Sequence, residues 1–302
     1  MFANLNFIPH IEEYVIVKKI NKGCSGDEKY QLEKEGRFYL LRVGDSSNAA
    51  IKYKEFQHLR LYVDTDVNTH RPVDFGVIGN RFYSIVTWVD GTTIMEVVKR
   101  DATKDYYDLG KKAGAELKKL HQYSYMENKV DWYLIIKQRA EHIIKVCRSR
   151  NIELVNGYAT EYLFNNLELV KGRQNVLLHG DFHWINCVVS DEGRFGIIDF
   201  AGDTEGDPWY EFGAMLWILE WSESFANGQI DGYFDDVPLK FWEVFKLYTV
   251  LYAYEHLNFD NGQSLESRIK NSTRMLEIFG DDYKEDIPLF RKKFKIKSIA
   301  KE

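Results

Sequence analysis

Cysteine and proline are scarce in this chain of 302 residues, which contains three of the first and five of the second. Cys24, Cys147 and Cys187 are far apart, and no two of them form a Cys-x-x-Cys pair. This spacing predicts neither a disulfide framework nor a zinc site. Free thiols fit a reducing compartment, so we expect a cytoplasmic protein.

Long apolar runs are also missing. No stretch reaches the ~18 consecutive apolar residues that a membrane span requires. The first residues, MFANLNFIPHIEEY, contain no basic region followed by an apolar one. We therefore expect neither export nor insertion into a membrane.

Positive charge is not in excess. The chain has 40 Lys and Arg against 46 Asp and Glu, which gives a formal net charge of -6. Binding to a phosphate backbone depends on clustered Lys and Arg, so this composition argues against a nucleic-acid partner. The one basic cluster, residues 291–301, is typical of a solvated helix end.

The hydrophobic pattern changes once, near residue 90. Before that point, short runs rich in Val, Ile, Tyr and Phe predict an antiparallel sheet, with strands at 14–20, 29–33, 37–43, 73–79 and 81–89. Between the third and fourth runs, the spacing of Ile51, Phe56, Leu59 and Val63 predicts one helix, with Ser47 or Asn48 as its N-cap.

After residue 90 the pattern is mostly helical, apart from short strand-like runs within residues 175–200. The chain is therefore expected to be an α+β protein, with a β-rich part before a larger α-rich part. Polar residues between short apolar strands are a common location for chemistry, which directs attention to 175–200.

That segment contains HGDFHWIN followed by GIIDF, so that Asp181, Asn186 and Asp199 stand at fixed offsets. A carboxylate such as Asp181 can accept a hydrogen bond from a substrate hydroxyl, while Asn186 and Asp199 offer hard oxygen ligands to Mg²⁺ on a triphosphate. The two spacings equal those of the catalytic loop and the metal-binding Asp-Phe of protein kinases. Taken singly, each of these residues is also a common turn former.

HGDFHWIN and IDFAGDTEGDP together resemble the signature of the aminoglycoside phosphotransferase family. The resemblance implies a protein-kinase-like, two-lobed fold: a nucleotide-binding N-lobe over residues 1–89, a hinge near 87–91, and a larger, mainly helical catalytic and substrate-binding C-lobe over 90–302. It also implies that Asp181 is the catalytic base and that Asn186 and Asp199 bind Mg²⁺, with ATP or GTP as phosphoryl donor. We expect His179 to brace the loop backbone.

Further residues are expected to bind the nucleotide. Gly23, Ser25 and Gly26 lie between the first two strands, where a tight turn brings backbone N–H groups close to phosphate oxygens. A hairpin with glycines but no ligand is the alternative. The backbone of the hinge residues is expected to pair with the purine edge; these are Thr87, Trp88 and Val89.

Arg42 stands where protein kinases have the phosphate-binding Lys, and a guanidinium can also contact phosphate oxygens. Glu55 on the following helix is its expected ion-pair partner, with Glu35 as a competitor for that role. Asp207 and Pro208 are typical of a helix N-cap and a first helical position.

Acidic residues alternate with aromatic ones in the last hundred residues. Four of these acids, together with Asp181, are candidates to bind the ammonium groups of a cationic amino-sugar: Glu220, Glu223, Asp231 and Glu255. A solvated acidic helix face would show the same pattern. An aminoglycoside is thus the first candidate acceptor, on a chain that we expect to be a monomer or a weak dimer. A metabolic kinase for choline, homoserine or another small alcohol, and a nucleotide-binding pseudokinase, remain alternatives.

Overall fold

A five-stranded antiparallel sheet forms the N-terminal part of the computed structural model, which describes residues 5–21, 26–126, 130–152, 156–201, 205–259 and 262–299. The order across the sheet is β1-β2-β3-β5-β4. The strands are β1 (Val15–Ile20), β2 (Glu28–Lys34), β3 (Arg37–Asp45), β4 (Pro72–Ile78) and β5 (Arg81–Thr87). All five strands expected from the sequence are confirmed.

The turn between β2 and β3 sets the register of that hairpin. Glu35 and Gly36 both have positive φ, at 54° and 75°. Two consecutive residues with positive φ form the tight turn whose twist matches antiparallel strands. Lys34 therefore pairs with Arg37, and six residue pairs further along the hairpin Glu28 lies opposite Val43.

The two faces of this sheet pack against different partners. Tyr30 and Leu41 point to one face, where they form a small core with Leu5 and Ile8 of the N-terminal segment. Leu40 on the opposite face belongs to the main hydrophobic core. Because side chains alternate along a strand, the residues beside Tyr30 and Leu41 face the main body of the protein.

Helix α1 (Ala49–His58) follows a short 3-10 helix at Ser46–Asn48, and a second 3-10 helix at Leu59–Tyr62 continues it. Phe56 and Leu59 are buried as predicted, but Ile51 and Val63 are exposed, so the apolar face is narrower than the spacing suggests. Asn48, one of the two predicted residues, stands at the N-cap position of α1, but its side chain makes no capping hydrogen bond. The Asp45 carboxylate caps the preceding 3-10 helix by accepting from the Ser47 N–H.

Helices dominate the rest of the chain, with short strands between them. The strands are β6 (Thr92–Thr93), β7 (Tyr125–Met126), β8 (Asn175–Leu177), β9 (Cys187–Val189), β10 (Phe195–Ile197) and β11 (Glu205–Gly206). The helices are α2 (Ile94–Arg100), α3 (Tyr107–Tyr123), α4 (Trp132–Ser149), α5 (Gly157–Asn165), α6 (Glu223–Tyr233), α7 (Leu239–Asn258), α8 (Leu265–Glu277) and α9 (Leu289–Ile299), with 3-10 helices at Leu167–Val170 and Pro208–Trp217.

Helices α3 and α6 touch backbone to backbone. A Cβ built on Gly110 would lie 2.1 Å from the Phe225 carbonyl oxygen, and one on Gly228 would lie 2.1 Å from that of Tyr107. These distances are impossible for any residue with a side chain, so glycine fixes the approach of the two helices. Over the described ranges, none of the helices combines the length and apolarity needed to cross a membrane.

Candidate active site

The hairpin of β9 and β10 brings two segments of the predicted site together. Cys187 at the start of β9 pairs with Ile197 at the end of β10. Just beyond this pair, the Ile198 N–H donates to the Asn186 carbonyl at 2.9 Å. Asn186 and Asp199 therefore lie at the same end of one hairpin, although thirteen positions separate them in the sequence.

Asn186 is bonded directly to Asp181. Its Nδ2 donates to the Asp181 carboxylate at 2.8 Å and to the Asp181 carbonyl at 3.0 Å. Both amide hydrogens are thereby used, which leaves Asn186 Oδ1 to face a cation or a donor. Asp181 is open to solvent on one side. Burial of the remainder raises the pKa of its carboxyl above the usual range, against the effect of the Asn186 hydrogen bond.

Asp199 has a backbone conformation that is uncommon for a residue with a side chain, with φ at 62°. Its carboxylate contacts the Arg42 guanidinium through Oδ1 and lies 3.8 Å from Lys29 Nζ through Oδ2. Burial alone would raise the pKa of Asp199, but these two cations lower it to about 2. Backbone strain beside a fully ionised carboxylate is a frequent feature of functional sites.

His179 lies beneath this loop and is completely buried. Its Nε2 bonds to the Ile198 carbonyl at 3.0 Å, and its Nδ1 accepts from the Asp181 N–H at 3.2 Å. Burial lowers the pKa of His179 to about 4, so the ring is neutral at physiological pH. A neutral ring that donates on one side and accepts on the other joins the loop that carries Asp181 to the Asp199 segment.

Glu211 accepts hydrogen bonds from the backbone of the loop that carries Asp181. Its Oε1 accepts from the Gly180 N–H at 3.1 Å, and backbone groups of His179 and Phe182 also bond to this carboxyl group. Gly180 has a φ of 81°, which glycine adopts without strain. Burial raises the pKa of Glu211 to about 7. Asp207 caps the 3-10 helix that carries Glu211, as the sequence predicts.

The sheet closes the cleft above Asp199. Arg42 lies there with Glu55 and Lys52. The Glu55 carboxylate pairs with Lys52 at 2.9 Å, while Arg42 pairs with Asp199. The predicted ion pair between Arg42 and Glu55 is therefore wrong in this structure. Lys52, one helical turn from Glu55, forms the ion pair with the Glu55 carboxylate instead. Glu35, the competitor named above, stands in the β2–β3 turn.

The three hinge candidates stand at the end of β5: Thr87 is its last residue, and Trp88 and Val89 come directly after it. Thr87 O accepts from His70 Nδ1 at 2.7 Å, and the Trp88 N–H donates to the Phe38 carbonyl at 2.9 Å. Val89 is buried, and no acceptor for its N–H occurs in the described part of the chain. Gly91 has a φ of 145°, and a Cβ there would lie 2.8 Å from the Val189 backbone. The chain thus passes from the sheet to the helical part at a glycine.

Two of the three predicted loop residues, Gly23 and Ser25, lie outside the described residues. Gly26 is described, and a Cβ built on it would meet no atom within 4 Å. Its surroundings are therefore open.

The four acids proposed for the acceptor are not equivalent. Glu220 pairs with Arg274 at 2.5 Å, and Asp231 is held by Arg291 and by the Tyr107 hydroxyl. Glu255 pairs with Arg139 at 3.2 Å and accepts from the Tyr210 hydroxyl at 2.8 Å. Glu223 is exposed in the first turn of α6. Three of the four carboxylates are thus already neutralised by arginine.

Aromatic side chains lie on the Asp181 side of this region. Tyr252 is close enough to Asp181 and Glu255 that both carboxylates add to the rise in pKa that burial imposes on its phenol. Trp217 Nε1 donates to the Tyr252 hydroxyl at 3.1 Å, and the Trp217 ring lies 6.1 Å from the His183 ring. Glu255 is therefore the acid that shares a neighbour with Asp181.

Sequence reasoning missed three basic side chains of this cleft: Lys29, Lys52 and His70. Burial lowers the pKa of His70 to about 4, and its ring supports the hinge from within. The signal for Lys29 was present in the sequence, because the two-residue turn at Glu35 and Gly36 places it opposite Arg42.

A larger cavity of about 830 Å³ lies elsewhere, between α3, residues 172–174 and the segment after α6. Three of its charged lining residues form ion pairs: Arg173 with Asp207, and Lys118 with Asp235. None of the site residues predicted from the sequence lines it. Three of the predicted site residues, Arg42, Glu55 and Asp199, line the smaller cleft instead.

Known proteins share both the sequence pattern and the fold. The sequence profile of the phosphotransferase enzyme family matches residues 16–242. A search of the curated proteins finds no matching sequence. Among solved structures, aminoglycoside phosphotransferase APH(4)-Ia in a ternary complex with ADP and hygromycin B is 16% identical, with 88% of this chain and 96% of that chain covered and a TM-score of 0.64.

Kinases with other acceptors are similar as well. A protein assigned as a fructosamine-3-kinase from Haemophilus somnus 129PT is 13% identical, with 88% and 95% of the two chains covered and a TM-score of 0.58. Choline kinase LicA from Streptococcus pneumoniae is 13% identical, with 86% and 93% covered and a TM-score of 0.56. At such identities the likeness is one of fold, and it confirms the expected protein-kinase-like α+β fold.

The family profile covers more than half of the sequence, including HGDFHWIN and the Asp199 segment. With a protein-kinase-like fold as well, this chain belongs to the phosphotransferase enzyme family.

Proposed function

We propose that this protein is a kinase that transfers the γ-phosphoryl group of ATP or GTP to a hydroxyl of a small molecule. The observation that carries the proposal is the meeting of Asp181, Asn186 and Asp199 at one end of the β9–β10 hairpin. Arg42 lies directly above them. Phosphoryl transfer depends chiefly on positioning and charge neutralisation, and this arrangement offers both.

Asp181 is the catalytic base in this proposal. Its carboxylate accepts the hydrogen bond of the acceptor hydroxyl and takes the proton as the oxygen attacks phosphorus. The Asn186 amide orients that carboxylate through its 2.8 Å hydrogen bond. A pKa above the usual range for Asp makes the carboxylate a better proton acceptor than an exposed one.

Asn186 Oδ1 and the Asp199 carboxylate are the proposed ligands of Mg²⁺. Both are hard oxygen donors of the kind that Mg²⁺ prefers, and Asn186 Oδ1 is not used in the bond to Asp181. The ion, when bound, supplies neutralisation of charge on the phosphate groups. Within the described ranges no three His, Cys, Asp or Glu side chains converge, so further ligands would come from the nucleotide or water.

The remaining nucleotide contacts are assigned to the N-terminal part of the chain. Arg42 and Glu55 line the cleft together with Val86. Thr87, Trp88 and Val89 follow Val86 in the chain, and the Val89 N–H is the proposed donor to the purine edge. Gly23, Ser25 and Gly26 are assigned to the phosphates. We place the division between the lobes at residues 89 and 90, next to Gly91.

An aminoglycoside is the first candidate acceptor. APH(4)-Ia, which shares the fold, binds hygromycin B in its ternary complex. The exposed Glu223 is the carboxylate best suited to an ammonium group, because Glu220, Asp231 and Glu255 already have arginine partners. Glu255 is the second choice, because its charge reaches Tyr252, a neighbour of Asp181. Arg139 reduces the attraction of Glu255.

A small alcohol with a single cationic group, such as choline, is the second candidate. Trp217, Tyr252 and His183 provide aromatic surface near Asp181, and an aromatic face attracts a cation without a carboxylate. Choline kinase LicA shares the fold.

The proposal is tested by coupled nucleotide turnover with Mg²⁺ and a panel of aminoglycosides, choline and other small alcohols. We expect acceptor-dependent release of nucleoside diphosphate with one of these classes. A protein that binds nucleotide but consumes it with none of them would favour a regulatory, non-catalytic role instead.

A further inference from the structure

Two basic side chains approach the Asp199 carboxylate, whereas the sequence predicted one basic phosphate-binding residue, Arg42, paired with Glu55. Arg42 comes from β3 and Lys29 from β2, and the two lie directly opposite each other in the hairpin. Opposite residues of antiparallel strands project from the same face. Tyr30, the next residue after Lys29, packs into the small core on the other face.

The surroundings of Lys29 are unusual for a lysine. Its side chain is only 9% exposed, and its ion pair with Asp199 is 3.8 Å long. This distance is too great for a hydrogen bond. The part of the chain that the structure describes offers no hydrogen-bond acceptor to the Lys29 ammonium. The ammonium therefore lies beside the Asp199 carboxylate with its donors available, and a phosphate oxygen bound there would supply an acceptor.

The cations of the cleft are not held equally closely by carboxylates. Lys52 and Glu55 neutralise each other. Arg42 and Lys29 share the single carboxylate of Asp199, which Arg42 already contacts closely. The Asp27 carboxylate also acts on Lys29, but no ion pair or hydrogen bond joins the two among the described residues. Of the three cations, Lys29 therefore has the longest ion pair and is the least closely contacted by a carboxylate.

Resting on the proposed function, we infer that Lys29 of β2 binds the phosphate groups of the nucleotide, while Arg42 of β3 holds Asp199 in place. The task that a single lysine on the third strand performs in protein kinases is thus divided between two neighbouring strands. The ammonium of Lys29 is a compact charge with three donors, which suits phosphate oxygens. The forked guanidinium of Arg42 suits a carboxylate.

The first test measures the binding of MgATP and of adenosine by calorimetry. In Lys29→Met, a change that keeps length and removes charge, we expect MgATP to bind about 10- to 100-fold more weakly, as for the loss of hydrogen bonds to a charged group. Adenosine, which has no phosphate, should bind within about twofold of the wild type. Lys34→Met, at the far end of the same strand, where Lys34 pairs with Glu13 and not with a cleft residue, should change neither.

Equal weakening of MgATP and adenosine would mean that Lys29 only supports the fold, and it would overturn the inference. Unchanged binding of MgATP would overturn it as well. If the wild-type protein binds no nucleotide, the proposed function itself is wrong. If the wild-type and Lys29→Met proteins bind MgATP equally well, only the role of Lys29 is wrong.

A second measurement uses the wild-type protein, so that a variant that folds poorly cannot obscure the answer. Lysines are acetylated with acetic anhydride, and the rate at each position is followed by mass spectrometry. We expect MgATP to protect Lys29 at least about tenfold and Lys34 not at all, since a bound phosphate covers only the first. Adenosine should protect neither. Protection of Lys29 by adenosine, or none by MgATP, would contradict the inference.

Discussion

The Glu211 carboxyl group offers a test of how the catalytic loop is supported. The residue is 4% exposed and accepts from the Gly180 N–H next to Asp181. Burial raises its pKa from 4.5 to about 7. The change to examine is Glu211→Gln, which keeps the acceptor oxygen and the shape while removing ionisation.

The magnitude follows from the shift in pKa. One pKa unit corresponds to about 1.4 kcal/mol, so the shift of Glu211 amounts to about 3 kcal/mol. The folded protein holds this proton more tightly than the unfolded chain does. Its contribution is therefore fully present below pH 4.5 and is lost as the pH rises through about 7. His179 acts in the opposite direction, because burial lowers its pKa to about 4.

Urea denaturation between pH 4.5 and 8 measures the effect. The difference in free energy of unfolding between Glu211→Gln and the wild type should shift in favour of the variant by about 3 kcal/mol over this range. His179 is common to both proteins, so its contribution cancels in the difference. Glu243→Gln, at an exposed carboxylate of α7, is the control and should show no such trend. A pH-independent difference for Glu211→Gln would refute the reasoning.

Two further changes test the framework around the site. Asp207→Ala removes the cap of the 3-10 helix and leaves Arg173 and the Tyr248 hydroxyl without their partner, so urea denaturation should show a loss of about 3–5 kcal/mol; a loss below about 1 kcal/mol would contradict this. Gly91→Ala places a Cβ 2.8 Å from the Val189 backbone at a φ of 145°, and we expect a loss of about 1–3 kcal/mol. Gly157→Ala, where a Cβ would meet nothing, is the control for the second change, and equal effects at the two glycines would contradict the account.

The strands of the sheet were predictable because each is a short β-rich run bounded by turn residues, and the structure has all five. The motif spacing also sufficed to indicate that Asp181, Asn186 and Asp199 belong to one unit. The β9–β10 pairing is what joins them physically. When residues lie close together in the sequence, the short chain between them limits the distance between their side chains in the structure.

Pairing between distant segments was harder to predict. Arg42 contacts Asp199 across 157 positions of sequence, and the closer Lys52 takes the partner expected for Arg42. The same limit applies to the acceptor acids, since Arg291 reaches Asp231 from a helix that begins 58 positions later. Which arginine reaches which carboxylate depends on how the helices pack, and periodicity along one helix does not determine that.

The position of Lys29 opposite Arg42 was predictable from the sequence. The turn at Glu35 and Gly36 fixes the register of β2 and β3, and the register fixes the pair of Lys29 and Arg42. What the sequence could not give is the depth of Lys29 in the cleft, because burial depends on every element packed around the sheet.

The most direct test of the account is the turnover of the Asp181→Asn protein with an acceptor that the wild type phosphorylates. We predict that kcat falls about 100- to 10,000-fold, as for the loss of a general base, while the affinity for MgATP stays within about threefold. An Asp181→Asn protein that retained a near-normal kcat would contradict the proposed role of Asp181 and with it the proposed mechanism.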